Sequence, residues 1–298
     1  MIEVQKLFRA GLLIACALPA IAGAREDSVE RKVAAEPDGE VVVTNTAGTI
    51  DVRGWDRNEV QVTGTFDGGI ERIDVESSGG RTQVKVVYSR GSHRGDADIE
   101  VQVPKGSSLE VSGTSADISS RGVLGTQRLK SVSGEVTADI AGNDSDVRSV
   151  SGDVTVRGQG NVSGLRVSSV SGNIDIARVG GRIEVVTVSG DARVNANEAS
   201  EIRGRTTSGG LELQGKLTRD GRVDVEGVSG EITLRLSAPG GLSAEIESFS
   251  GDITGCLARG VERVSKYGPG VRLTLRASES GARVRAKTLS GDVDICDR

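Results

Sequence analysis

Aromatic side chains are nearly missing from this chain. Only six of its 298 residues are Phe, Tyr or Trp, and it carries one histidine, one methionine and five prolines. A core without aromatics must be built from Val, Ile, Leu and Ala in thin layers. The scarcity also removes the aromatic platforms common at sugar sites, because Trp55, Tyr88 and Tyr267 stand isolated. Trp55, in Gly54-Trp55-Asp56, is better placed to cover the end of a stack than to bind sugar. The lone histidine, His93, lies in a polar loop, far in sequence from most of the serines. A serine nucleophile needs a base within hydrogen-bond reach, so Ser-His-Asp chemistry is disfavoured. With five prolines and no G-X-Y period, the 42 glycines are not collagen-like. Lys and Arg number 37 against 42 Asp and Glu, for a net charge of −5 with both signs interspersed. Phosphate-backbone binding wants a basic face, so nucleic acid is not expected as a partner. A polybasic membrane patch is absent on the same grounds.

A long apolar run occurs once, at the N-terminus. Lys6 and Arg9 precede the apolar stretch 10–21, and Ala22-Gly23-Ala24 forms an A-x-A site before Arg25-Glu26-Asp27. The run is short for a transmembrane helix. Residues 1–24 are therefore expected to be a cleaved signal peptide, leaving a periplasmic or extracellular protein. Leu13-Ile14-Ala15-Cys16 offers the rival of lipoprotein anchoring at Cys16, but Arg9 lies closer to Cys16 than that signal usually allows. Cleavage leaves two cysteines, Cys256 and Cys296, in a compartment where disulfides persist.

What the chain has in abundance is a short repeat. Ser149–Gly158 reads SVSGDVTVRG, a half-buried strand between tight turns. With the glycine of Ser-Gly-Asp as position zero, the column reads Ala116, Gly134, Gly152, Gly172, Gly190, Gly209, Gly230, Gly251, Pro269 and Gly291. The steps run from 18 to 22 residues, a period that implies a solenoid. Positions +2 and +4 are aliphatic, as in Val154 and Val156 or Ile174 and Ile176, and define one strand face. Positions −5 (Leu129, Val147, Val167, Val185, Val225, Ile246, Val264) and −2 (Val132, Val150, Val170, Val188, Val228, Phe249, Tyr267, Leu289) are apolar too. Their separation is odd, so the reading needs a bend that turns both inward. No single repeat can bury such a face alone, so the repeats must stack.

The expected fold is thus all-β, a parallel β-solenoid of about ten coils spaced about 4.8 Å apart. Residues 25–39 read as a flexible arm. Residues 40–104 read as a divergent N-terminal β region that begins and caps the stack, and residues 105–298 as the regular repeats. The turn glycines Gly134, Gly152, Gly172, Gly190, Gly209, Gly230, Gly251 and Gly291 are expected to supply a positive φ.

Two constellations invite chemistry. The acidic column at +1 (Asp117, Glu135, Asp153, Asn173, Asp191, Glu231, Asp252, Asp292) could ligate Ca²⁺. Asp and Asn also favour tight turns, the preferred reading, so no metal or cofactor is expected. Cys256 and Cys296 occupy equivalent positions two coils apart, about 9.6 Å in a regular stack. A disulfide wants Cα atoms within about 7 Å, so a bond between them requires irregular coils, and both bonded and free states stay open.

Gly-Trp-Asp at 54–56, Val-Pro-Lys-Gly-Ser-Ser-Leu at 103–109, Ser-Ala-Asp-Ile at 115–118, Phe-Ser-Gly-Asp-Ile at 249–253, Tyr-Gly-Pro-Gly at 267–270 and the terminal Leu-Ser-Gly-Asp-Val-Asp-Ile-Cys occur in that order. Together they resemble the bacterial putative-adhesin family of β-strand-repeat proteins, a domain of unknown function, over roughly Glu40 to Cys296. The resemblance implies an exported bacterial β-solenoid and carries over no catalytic residues. The leading functional expectation is a non-enzymatic envelope protein that binds an envelope protein or glycan. A second is a module that self-associates through a bare terminal coil ending at Val293–Cys296. A third is a polysaccharide-active β-helix enzyme, which would need paired carboxylates in a groove.

Overall fold

The computed structural model describes residues 27–90, 95–266, 268–276 and 281–297. The leader 1–24 with Cys16, His93 and Tyr267 lie outside the described residues. Among the described residues all regular structure is β, in 21 strands. The chain begins with β1 (Asp27–Ala34), β2 (Glu40–Trp55), β3 (Glu59–Phe66), β4 (Ile70–Ser78), β5 (Arg81–Tyr88) and β6 (Ala97–Pro104). The regular coils follow as β7 (Ser108–Arg121), β8 (Gln127–Lys130), β9 (Val136–Gly142), β10 (Ser145–Arg148), β11 (Val154–Ser169), β12 (Ile174–Thr187), β13 (Ala192–Thr206) and β14 (Leu211–Gly227). The last third holds β15 (Ile232–Ser237), β16 (Leu242–Ser248), β17 (Ile253–Thr254), β18 (Glu262–Arg263), β19 (Val271–Leu275), β20 (Ala282–Thr288) and β21 (Val293–Cys296).

The stack is a parallel β-solenoid held by two aliphatic ladders. The first runs Ile99, Ile50, Ile118, Val136, Val154, Ile174, Ala192, Leu211, Ile232, Val293, Ile253, each paired with the next in parallel register. The second runs Val84, Val43, Val111, Leu129, Val147, Val167, Val185, Gly204, Val225, Ala286, Ile246. Apart from Gly204, every rung belongs to one continuous buried cluster. Each fully buried Val, Leu or Ile is worth about 1.5–3 kcal/mol. The ladders face one another: a Cβ on Gly204 would collide with the end of the Leu211 side chain, so a large residue on one side is matched by the smallest on the other. β-branched residues dominate because they suit a pleated surface buried on one face.

The long strands β11 to β14 turn a corner midway. Register shifts fall between Arg157 and Gly160 and again between Val162 and Leu165. Nearby, Gly160, Gly181 and Gly215 hold positive φ, as do Arg178 and Glu198, the two non-glycine residues that do so among the described residues. The second corner of each coil is the Ser-Gly-Asp turn.

Spatial order departs from chain order at both ends. Strand β2 lies between β5 and β6 on one edge and β7 on the other. Strands β20 and β21 are inserted between β14 and β15 on one side and β16 and β17 on the other. The Val293–Cys296 strand is therefore interior to the stack, not a bare terminal coil. Antiparallel strands close one end, with β4 on β5, β3 on β6 and β1 on β3, and cover β16 at the other, with β19 on β16 and β18 on β19. Such pairing breaks the parallel pattern that another coil would extend.

Three further expectations are corrected. The arm 25–39 is ordered from Asp27 to Ala34, because β1 finds an eight-residue antiparallel partner in β3. Pro269 is not a turn of the column: the strand after it, Val271–Leu275, runs antiparallel on β16, and Val264 is exposed. The turn glycines do not share a positive φ. Of the eight, only Gly230 has one. Their common need is room. A Cβ on any of them would lie closer than 3.0 Å to a backbone oxygen of the coil beneath, as Gly152 would to Gly134 and Gly172 to Gly152.

Candidate binding surface

The Ser-Gly-Asp corners stack into one edge, and each column of that edge has its own task. Position −3 is Ser or Thr in most coils (Gly227 departs) and points inward, with Ser131, Ser169, Thr187, Thr206, Ser248 and Thr288 buried and bonded, and Ser149 buried with its hydroxyl unpaired. The bonded hydroxyls close the turn. Ser169 Oγ accepts the Gly172 amide at 2.9 Å, and Thr187 Oγ1 donates to the Gly190 carbonyl at 2.8 Å. Position −1 is serine and points out. Its amide and hydroxyl both donate to the −2 carbonyl of the neighbouring coil, as Ser151 does to Val132 at 2.9 and 3.1 Å. These hydroxyls bond from coil to coil along the stack.

The acidic column is likewise occupied by backbone. Asp117 Oδ1 accepts the Glu135 amide at 2.8 Å, Asp153 the Asn173 amide at 2.8 Å, and Asp191 the Gly210 amide at 2.8 Å. Asn173 does the same for the Asp191 amide at 3.1 Å. An uncharged amide oxygen thus fills the same place as a carboxylate, and each bond runs to the next coil rather than to the residue's own turn. Among the described residues no group of three or more His, Cys, Asp or Glu is arranged to hold a metal. Asp153→Asn is expected to melt within about 0.5 kcal/mol of the parent, and Asp153→Ala to lose about 1 kcal/mol. Thermal melting with and without chelator checks both: a chelator-sensitive midpoint would reinstate the metal.

Position −2 is where the sequence reading fails. Val132, Val150, Val170, Val188, Val228, Phe249 and Leu289 are 40–56% exposed. The inward slot near the corner goes to the Ser or Thr at −3, which satisfies turn groups that an aliphatic side chain would leave unpaired. Parity then sends −2 outward. Inter-coil bonds order the edge as Val132, Val150, Val170, Val188, Thr207, Val228, Leu289, Phe249. At about 4.8 Å per coil this is an apolar stripe about 34 Å long. Its signal in the sequence was the odd spacing between −5 and −2.

Cys256 and Cys296 form a disulfide with Cα atoms 4.9 Å apart. No irregular coil is needed, because β21 lies directly beside β17. Trp55 Nε1 donates to the Glu59 carbonyl at 2.9 Å, and the Arg57 guanidinium stacks on its ring at 4.9 Å. The indole is thus engaged locally near the N-terminal end.

These features define a class: a capped parallel β-solenoid with a hydrogen-bonded turn edge and an apolar stripe along it. Residues 39–296 match the Toastrack DUF4097 family, and the chain belongs to it. No curated protein matches it significantly in sequence. Among solved structures, one from Parabacteroides merdae described as a putative adhesin superposes with a TM-score of 0.53 at 10% identity, over 90% of this chain and 96% of that one. Another, from Parabacteroides distasonis and described as a putative lipid binding protein, gives 0.52 at 14% identity, over 91% and 97%. At such identities the likeness concerns the fold alone.

Proposed function

We propose that the protein is an exported, non-enzymatic envelope scaffold, periplasmic or surface-exposed, that binds a partner along its turn edge. The observation that carries this is the apolar stripe from Val132 to Phe249, seven large side chains exposed in one line. Monomeric soluble proteins rarely leave so long a row of apolar side chains, here broken only at Thr207, uncovered. Its flank of serines, each already bonded to backbone, suits an apolar protein surface better than a glycan. The A-x-A site at 22–24 supports export. The adhesin description of the Parabacteroides merdae structure is in keeping with a binding role.

The two rival readings have less behind them. Assembly through a bare terminal coil at Val293–Cys296 loses its premise, since that strand lies between β15 and β17. Hydrolysis would need free paired carboxylates, whereas Asp117, Asp153, Asp191 and Asp292 of the turn edge accept backbone amides.

The test is binding of labelled mature protein to sedimented envelope fractions. The variant carrying Val150→Thr, Val170→Thr and Val188→Thr keeps volume and β-propensity but makes the stripe polar. It is expected to bind at least about tenfold more weakly, a loss of about 1.4 kcal/mol. A control changing the outward Arg157 and Asp175 to Gln and Asn should bind as the parent does. Equal binding by the stripe variant and the parent would remove the proposal.

A further inference from the structure

The outer faces of the coils carry charged rows, and neighbouring rungs mostly alternate in sign. Arg166 pairs with Glu184 at 2.8 Å, Arg182 with Glu201 at 3.0 Å, Arg205 with Glu226 at 3.1 Å and Arg235 with Asp294 at 3.1 Å. Glu247 sits between Arg272 at 2.6 Å and Lys287 at 3.2 Å. The Lys287 hydrogen bond, ahead of the two positive charges, holds that carboxyl below its usual range.

The rule breaks where the C-terminal strand enters the stack. There Arg222 of β14 stands directly opposite Arg283 of β20. Like charges facing each other across paired strands are destabilising. Neither arginine has a hydrogen bond or ion pair among the described residues. On one side the row continues to Glu201, whose carboxylate is already shared by Arg182 at 3.0 Å and Arg203 at 2.7 Å. On the other it continues to the uncharged Ser243. One row down, Arg285 lies between Asp224 and Glu245, so those two acids have a cation of their own. Arg203, Arg222, Arg283 and Arg285 stand there against Glu201, Asp224 and Glu245, a net charge of +1, and Arg222 and Arg283 are adjacent without an acid between them. Both line a cleft of about 700 Å³, which Glu201, Asp224 and Glu245 also border and which reaches Leu275 at the end of the stack, within the usual size range of small-ligand sites.

We propose that Arg222 and Arg283 form a binding site for a phosphate-bearing ligand. Two adjacent guanidinium forks offer two pairs of donors, and a phosphate monoester presents three free oxygens to them where a carboxylate presents two. A phosphate monoester carries about −1.5 to −2 at neutral pH, whereas a carboxylate carries one. Planar guanidinium forks also match phosphate oxygens two at a time. The stripe on the turn edge plays no part in this site, so the two proposals stand or fall separately.

The experiment uses the mature protein at low ionic strength. Inorganic phosphate is expected to raise the melting midpoint saturably, beyond chloride of equal ionic strength. The double variant R222Q/R283Q should lose that response, with affinity at least about tenfold weaker. In phosphate-free buffer the variant should melt at or above the parent midpoint, since removing the pair removes a repulsion. That sign separates loss of a site from loss of the fold. A second arm compares sedimentation with phosphatidic-acid and phosphatidylcholine vesicles. Arginine-dependent binding to the first alone points to a lipid headgroup, and a response to inorganic phosphate without vesicle binding points to a soluble ester. A phosphate response retained by R222Q/R283Q, or absence of both phosphate and phosphatidic-acid responses, overturns the proposal.

Discussion

Gly152→Val is expected to lower stability by about 3 kcal/mol, the upper part of the range for overpacking a filled site. For a chain of this size that is a fall of about 6–12 °C in melting midpoint. The cause is inter-coil contact. A Cβ on Gly152 would overlap the carbonyl oxygen of Gly134 and crowd the amide of Glu135 at 3.2 Å. Both are backbone atoms, so no flexible side chain can swing away. The coil beneath must move, and it rests on Ala116 in the same manner. The disturbance therefore spreads along the edge and weakens the Val154–Ile174 and Val154–Val136 rungs beside it. Gly152→Ala separates this cause from backbone strain. Gly152 lacks a positive φ, so a strain account has alanine tolerated there, whereas close approach has it costly. Gly68→Ala is the control: nothing lies within 4 Å of a Cβ there and its φ is not left-handed. It should melt within about 0.5 kcal/mol of the parent. If Gly152→Ala melted like Gly68→Ala, the account of the glycine column would be wrong.

The aliphatic ladders were legible in the sequence because period and alternation together leave few alternatives. Val154, Ile174 and Ile232 recur at one offset, and all three line one core. Val150 and its equivalents were misplaced for a definite reason. Sequence hydrophobicity favours burying Val170 over the neighbouring Ser169, but the corner needs a polar group inside, and the Ser169 hydroxyl accepts the Gly172 amide there. The spatial order of the last coils could not be read. Gly230, Gly251 and Gly291 each carry the same turn chemistry, so any one could stack on any other. Chain order suggested 230, 251, 291, while the carbonyl contacts run 230, 291, 251. The Arg222–Arg283 pair was hidden by the same insertion, since it exists only because β20 lies on β14. One signal for the insertion was present. Two cysteines at equivalent offsets are too far apart two coils away and well placed one coil away.

That disulfide is expected to hold the inserted strand in place. Cys256 and Cys296 are separated by 40 residues, and closing a loop of that length is worth about 4 kcal/mol in the chain-entropy account. What it secures is otherwise thin. Strand β17 has two residues, Ile253 and Thr254, and they pair with Val293 and Asp294. Beside them the Gly251 and Ser248 contacts with Gly291 add little more than a turn. Without the bond, the end of the chain must hold its place between β15 and β17 through the four residues of β21. Reductant, or Cys296→Ser, is therefore expected to lower the melting midpoint and to loosen the C-terminal coils before the middle ones. Amide exchange should speed up at 253–254 and 293–296 while Val136, Val154 and Ile174 stay protected, since stacked repeats couple mainly to their nearest neighbours. Intact mass after alkylation, with and without reductant, establishes whether the bond was present in the sample. With the bond shown by mass, an unchanged midpoint and unchanged exchange after reduction would mean that β20 alone, through seven paired residues on β16, anchors the insertion.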